Sequence, residues 1–213
     1  MQNGDFVLVD FLGKVASTGE VFDFTQESVA KTIRTEKTSF GPALVIVGAQ
    51  MVLPGVEKHL LNMKVGEEKT FSIPATEAFG PRSPHFVRIF SMTQFIKQNV
   101  MPNPGSYLEI DGMRGKVQSV SGGRVRMDFN HPLAGKELSY WVKIQKQITD
   151  TQEKTNELFT FYGLKASAVL SETELKVTAE KALPKEARTF VEEGVKKWIP
   201  EIKSITFLEI EKK

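Results

Sequence analysis

The sequence contains no cysteine. Disulfide staples, thiolate zinc sites and a thiol nucleophile are thereby excluded together. Histidine is nearly as scarce: His59, His85 and His131 lie far apart and offer no metal-ligand spacing, so no metal and no cofactor are expected. No stretch reaches the roughly 18 consecutive apolar residues that cross a bilayer, so no membrane partner is expected. Met1-Gln2-Asn3-Gly4-Asp5 carries no basic region ahead of an apolar core, so no secretory leader is expected. With cysteine absent as well, the expected compartment is the cytoplasm. Neither sign of charge dominates: 28 Lys and Arg face 26 Asp and Glu, a net +2 that does not argue for nucleic acid.

What is present suits a globular chain. The 213 residues are 40% hydrophobic and 25% charged, enough to bury a substantial core. Charge is uneven along them. Residues 1–84 hold 8 basic and 10 acidic side chains, whereas residues 85–137 hold 7 and 4. That mildly basic middle also holds four of the seven methionines.

Apolar runs and breakers divide the chain. Phe6 to Gly13 reads as a buried strand, Ser17-Thr18-Gly19-Glu20 as a turn, and Val21-Phe22-Asp23-Phe24 as extended; residues 27–38 are polar loop. Ala43 to Gly48 is a second apolar strand. Pro54-Gly55 opens a helix whose Val56, Leu60 and Met63 share one face, and Gly66 follows its end. Glu68 to Ile73 alternates with period two and stops at Pro74. Three breakers in Gly80-Pro81-Arg82-Ser83-Pro84 mark a change of composition. Residues 85–129 then read as a small inserted unit. A helix over 91–99 is followed by short strands between Pro102-Asn103-Pro104-Gly105, Asp111-Gly112 and Ser121-Gly122-Gly123. Asn130 to Gly135 is a return hinge. Leu138 to Ile148 is a strand with residues 138, 140, 142, 144 and 148 inward. Beyond it, residues 151–213 give a helix at 152–162, a strand pair at 168–170 and 175–177, and a helix at 184–198. Ala187, Phe190, Val191, Val195 and Trp198 form the stripe of that last helix, and Ile205 to Ile210 is a closing strand.

Taken alone, Phe11, Phe22 and Tyr140 read as strand core and Asp23 as a turn acid. Their motif order says more. Phe11-Leu12-Gly13-Lys14 precedes Gly19-Glu20-Val21-Phe22-Asp23; Gly48-Ala49-Gln50-Met51-Val52-Leu53-Pro54-Gly55-Val56 precedes Met63-Lys64-Val65-Gly66-Glu67; and Ile73-Pro74 precedes Glu77-Ala78-Phe79-Gly80. In this order and spacing the segments resemble the FKBP-type peptidyl-prolyl cis-trans isomerases. With Asn130-His131-Pro132-Leu133-Ala134-Gly135 after an insertion, the chain resembles their SlyD-like branch, whose flap is replaced by an insert domain. Residues 151–213 resemble the extra domain of the long archaeal members.

The resemblance implies an α+β fold: a twisted antiparallel sheet half-wrapping a short helix, a β-rich insert and a small C-terminal α/β domain. It implies an isomerase domain at 1–84 plus 130–150, an insert-in-flap chaperone domain at 85–129 and a C-terminal domain at 151–213. Carried over by position, the catalytic pocket falls on Phe11, Phe22, Asp23, Leu53, Phe79 and Tyr140, with Val52, Val56, His131 and Leu133 binding substrate. The Leu53 N–H would hold a substrate carbonyl. His131 is either a hinge hydrogen-bonder or a pocket-edge contact. Two positions depart from the family: Val56 replaces a floor indole, and Phe79 replaces a tyrosine whose hydroxyl is then missing. The second bears on macrolide affinity more than on catalysis.

The implied chemistry needs no acid, base or metal. A prolyl bond resists rotation by about 18–20 kcal/mol because of its double-bond character. An apolar cleft disfavours the charge-separated resonance form, and a thousand-fold acceleration requires only about 4 kcal/mol.

The insert clusters Phe86, Val87, Ile89, Phe90, Met92, Phe95, Ile96, Val100 and Met101. Two readings stand: the core of a small module, or an exposed adaptable groove for unfolded chains. The resemblance favours the groove, with Ile89, Phe90, Met92, Phe95, Ile96 and Met101 binding substrate. The expected partners are unfolded or partly folded polypeptides containing proline. A non-catalytic chaperone on the same fold is the alternative. A unit as small as 151–213 should lean on the isomerase domain or on a second copy; an open sheet edge favours a homodimer. Every expected pocket position precedes residue 151, so activity should not need this unit.

Overall fold

The computed structural model describes residues 1–179 and 183–209. Ile210, expected to end the closing strand, lies outside them. The first strand, β1, runs Phe6–Val15. Its nearly unbroken apolar run has a geometric cause. Side chains alternate across a strand, and both faces are covered: Val7, Val9 and Val15 enter one core, Phe6 and Leu8 another. β2 (Val21–Phe24) pairs with the second half of β1, setting Gly13 opposite Asp23. The segment read as loop contains one helical turn, α1 (Glu27–Ala30), too short to show periodicity. β3 (Ala43–Ile46) pairs with the first half of β1.

α2 (Pro54–Leu61) starts on proline and buries Val56 and Leu60. It packs hard against the next strand, β4 (Glu68–Ile73). A Cβ on Gly55 would lie 2.4 Å from Cγ2 of Ile73, so only glycine permits this approach.

The insert opens on a strand, β5 (Val87–Ser91), that the expected helix start concealed. Its apolar residues are broken only by Arg88, so they do not alternate cleanly. α3 (Met92–Lys97) is shorter than expected; Ser91 Oγ accepts from Thr93 N–H at its start. β6 (Tyr107–Ile110), β7 (Met113–Ser121) and β8 (Arg124–Asp128) complete an antiparallel sheet of order β5-β8-β7-β6. Phe95, Val117, Val125 and Met127 are its own core.

β9 (Leu138–Ile148) pairs with β1 along its whole length and with β4 on its other side. The five-stranded sheet is thus antiparallel, in the order β2-β1-β9-β4 with β3 also on β1. A bulge at Gln145 shifts the register, since Leu8 faces Lys146 but Val9 faces Ile144. The shift reverses which face the last residues present. Leu138, Tyr140, Val142 and Ile144 therefore join the core under α2, while Ile148 joins Phe6 on the opposite face.

That opposite face is covered by the C-terminal unit. It comprises α4 (Thr151–Phe161), β10 (Ala166–Ser171), β11 (Glu174–Ala179), α5 (Lys185–Trp198) and β12 (Ser204–Glu209). β10 and β11 are antiparallel; β11 and β12 are parallel, joined through α5 as such a crossover requires. Leu158, Phe159, Leu175, Val177, Val191, Val195 and Ile199 form one continuous core with Phe6, Leu44, Ile46 and Ile148. The unit leans on the first sheet, which removes the core-size reason for expecting a second copy. Phe190, expected in the buried stripe of α5, is instead 57% exposed, with its ring 4.7 Å from that of Tyr162. It sits one position short of the buried line set by Val191 and Val195.

Candidate active site

The elements around α2 bring ten sequence-expected residues into one cavity of about 1020 Å³: Phe11, Phe22, Asp23, Val52, Leu53, Val56, Phe79, His131, Leu133 and Tyr140. Val56 faces it from α2, with Val52 and Leu53 on the turn just before. The walls are aromatic and mutually braced. The Tyr140 ring lies 6.4 Å from Phe11 and meets Phe22 edge-on at 5.7 Å. Phe22 in turn meets Phe79 edge-on at 6.1 Å, and Phe79 stacks on His131 at 4.3 Å. The rings form an arc, in which Phe22 makes edge contacts of the favourable kind with both Tyr140 and Phe79.

Gly13 sets the curvature of this arc. It pairs with Tyr140 across β9, and a Cβ there would lie 2.7 Å from Phe22 Cζ and 3.0 Å from Tyr140 Cζ. The family motif includes this glycine, but the packing role was not legible from its position.

His131 lies at both of the places between which the sequence left a choice. Its Nδ1 accepts from the Leu133 N–H at 3.1 Å, which shapes the hinge, and its ring still lines the cavity. The hinge is clamped further by Asn130. Its Oδ1 accepts from Ser83 N–H at 2.9 Å, and its Nδ2 donates to the Ser83 carbonyl at 3.0 Å. Arg82 pairs with Asp128 beside it. Gly135 N–H donates to the Gly80 carbonyl at 2.8 Å, tying the hinge to the Phe79 turn.

Polar groups are few. Asp23 is exposed at the cavity wall; its Oδ1 accepts from the Phe24 N–H at 2.9 Å and lies 3.8 Å from Lys37 Nζ. Lys37 also donates to the Phe24 carbonyl. Burial, reinforced by the Asp23 carboxylate, pushes the Tyr140 hydroxyl well above the usual tyrosine range, so it remains a neutral donor. The hydroxyl of Tyr140 and the N–H of Leu53 donate to no group among the described residues. An apolar cleft with two unspent donors can receive an amide: the walls take its ring, and the donors take its carbonyls. Among the described residues no group of three His, Asp or Glu is placed to hold a metal ion.

The cavity also takes residues that sequence reasoning missed. Lys37 comes from the polar loop, Phe40 from the stretch between that loop and β3, Met51 from the turn before α2, and Glu157, Thr160 and Phe161 from α4. Lys37 and Phe40 belong to none of the motif segments, and Met51 lies inside one but was assigned no pocket role. The last three lie past every expected pocket position, and only the packing of α4 on β3 brings them here.

The six insert candidates lie outside the cavity and divide by burial. Phe95 is only 3% exposed and belongs to the insert's core, with Phe90 and Met92 packed against it, so these three hold the module together. Ile89, Ile96 and Met101 are exposed, Met101 by 73%. Sequence clustering could not separate the two sets, because a short helix beside a strand presents both faces within a few residues.

Comparison with known proteins agrees with this architecture. A family model for FKBP-type peptidyl-prolyl cis-trans isomerase matches residues 1–90, and one for the FKBP26 IF domain matches residues 88–133. The short-type peptidyl-prolyl cis-trans isomerase of Methanocaldococcus jannaschii is 33% identical over 147 residues, covering 68% of this chain and 92% of that one. The FKBP-type 16 kDa isomerase of Escherichia coli K12 is 33% identical over 118 residues, covering 53% and 78%. SlyD of Helicobacter pylori is 26% identical over 122 residues, covering 56% and 66%. With a relative this similar matched across nearly its full length, the chain belongs to the FKBP-type peptidyl-prolyl cis-trans isomerases.

Proposed function

We propose that this chain rotates X–Pro bonds in the aromatic cleft and that its insert captures unfolded segments and delivers them there. One observation carries the first part: ring walls, an aliphatic floor and two unspent donors converge on a single cavity. Phe11, Phe22 and Tyr140 would wall the proline ring, with Val52, Leu53 and Val56 beneath it. The amide then leaves water for apolar surroundings, which weakens its charge-separated form. The Leu53 N–H and the Tyr140 hydroxyl hold flanking carbonyls, so the twisted amide is bound better than either planar one. Asp23 supplies the polar edge, held in place by Phe24 and Lys37.

The insert reading rests on exposed apolar side chains and on a path. Ile89, Ile96 and Met101 face solvent, and Tyr107, Arg114, Phe129 and Pro132 line a second cavity of about 640 Å³ that shares His131 with the first. The work divides among an isomerase domain (1–84 and 130–150), an insert (85–129) and a C-terminal unit (151–213). We place it in the cytoplasm because the chain has no cysteine. The test is a proline-limited refolding assay at catalytic protein concentration. Acceleration is expected, and Asp23→Leu or Phe22→Ala should reduce it while leaving the circular-dichroism spectrum nearly unchanged. No acceleration by the native chain would leave a non-catalytic chaperone, the reading that Phe79 and Val56 favour.

A further inference from the structure

We infer that the Glu157–Thr160–Phe161 ridge of α4 is an outer subsite of the prolyl cleft, taking an apolar side chain from the substrate segment beside the isomerised proline. The inference rests on the cleft reading above.

The helix dictates the ridge. Residues i, i+3 and i+4 share one helical face, and positions 157, 160 and 161 all line the cavity. The adjoining face of α4 buries Thr155, Leu158 and Phe159, the last two in the core shared with Phe6 and Ile46. The ridge is therefore held at a fixed place. Leu44, which belongs to that core, and Met51, which packs on it, line the same cavity as the ridge and the cleft floor. Met51 leads directly into Val52 and Leu53. Floor and ridge therefore open on one cavity, and the Met51 thioether in its lining can adapt to varied side chains.

Size and exposure identify the occupant. The cavity is at the upper end of the roughly 300–1,000 Å³ that small-molecule sites occupy, far more than a proline fills. Phe161 is 54% exposed at its rim and, among the described residues, has only Tyr162 as a ring neighbour, at 5.7 Å. A chain already threaded through the cleft continues into this space, and a large apolar side chain on it would cover the ring. Glu157 and Thr160 leave the rim wet enough for the backbone to pass.

The test uses the full chain and three single-proline peptides: a short core, and that core with an apolar extension on either side. Isomerisation is followed by exchange NMR. For the native chain one extension should raise kcat/KM by about fivefold, a gain in keeping with covering part of one phenyl ring. Phe161→Ala should erase most of that gain, measured as the ratio of extended to core peptide. Val169→Ala, an exposed apolar residue of the same unit away from the cavity, should keep it. Activity on the core peptide with no gain from either extension, or equal ratios in the two variants, would overturn the subsite alone. Inactivity of the native chain on the core peptide would overturn the cleft reading and the subsite with it. If Phe161→Ala lowers the mass seen by light scattering without changing the ratio, the ridge joins two copies of the chain and the subsite is refuted.

Discussion

Gly13→Ala isolates how the cleft keeps its shape. Gly13 lies inside β1 without a positive φ, so alanine fits its backbone. On conformational entropy alone the change should stabilise the strand by roughly 0.5–1 kcal/mol. The packing argues for the opposite sign. The new methyl would lie 2.7 Å from Phe22 Cζ and 3.0 Å from Tyr140 Cζ, whereas ordinary contact begins near 3.4 Å. The Phe22 ring must retreat by about 0.7 Å, and it is already in edge-on contact with Phe79 at 6.1 Å. Overpacking of this kind costs about 1–3 kcal/mol, which in a chain of this size lowers Tm by roughly 2–12 °C. Catalysis should suffer more, since a displacement near 1 Å at a reacting site costs on the order of a hundredfold. We expect kcat/KM on a short prolyl peptide to fall by roughly ten- to a hundredfold. Adding Phe22→Leu should restore part of the lost stability, so that the two changes are not additive in a double-mutant cycle. Unchanged or raised Tm together with full activity in Gly13→Ala would refute the argument, because entropy would then have outweighed the clash.

Three further outcomes follow from the packing. Truncation after Asp150 uncovers Phe6, Ile46 and Ile148, each now at most 1% exposed, at a cost of about 5–9 kcal/mol; the shortened chain should melt much lower or aggregate, and an unchanged Tm would contradict the shared core. Deleting residues 85–129 and rejoining at the Ser83–Asn130 clamp should keep turnover of short peptides while reducing it on an unfolded protein, because capture raises local proline concentration; equal losses on both substrates would reject capture. The Tyr140 hydroxyl titrates above its unfolded value near 10, so folding stability is level below that pH and falls as pH rises beyond it; Tyr140→Phe should flatten the alkaline limb of a Tm-against-pH curve, and an unchanged slope would show that another group is responsible.

Much of the fold was legible because local patterns carried it. The period-two run at Glu68–Ile73, the proline-started helix with Val56 and Leu60, and the turn pairs of the insert each sit where the residues alone place them. The site was legible through the order of its motifs. Phe11, Phe22, Asp23, Phe79 and Tyr140 are spread over about 130 residues, and only their sequence of segments says that they meet. What local patterns miss is long-range. No residue before Gly13 says that two rings will press on its α-carbon, and none near Lys37 says that its amine will reach the carbonyl beside Asp23.

β1 shows how one such fact joins the separate units. An apolar run reads as a buried strand whether one core or two will cover it. Here Val7, Val9 and Val15 build the cleft's core, and Phe6 and Leu8 found the C-terminal unit's core. The bulge at Gln145 then turns Ile148 toward Phe6, so β9 ends on the second core after walling the first with Tyr140. α4 starts directly after it, at Thr151, capped by Asp150. A helix launched from that point and buried through Leu158 and Phe159 must run beside β3, and its next ridge must face the cleft. The cavity therefore owes part of its wall to a unit that contributes none of the family's motif residues. A change in the C-terminal core, far from any prolyl contact, should be felt in the cleft through α4, with Phe161 as the side chain that reports it.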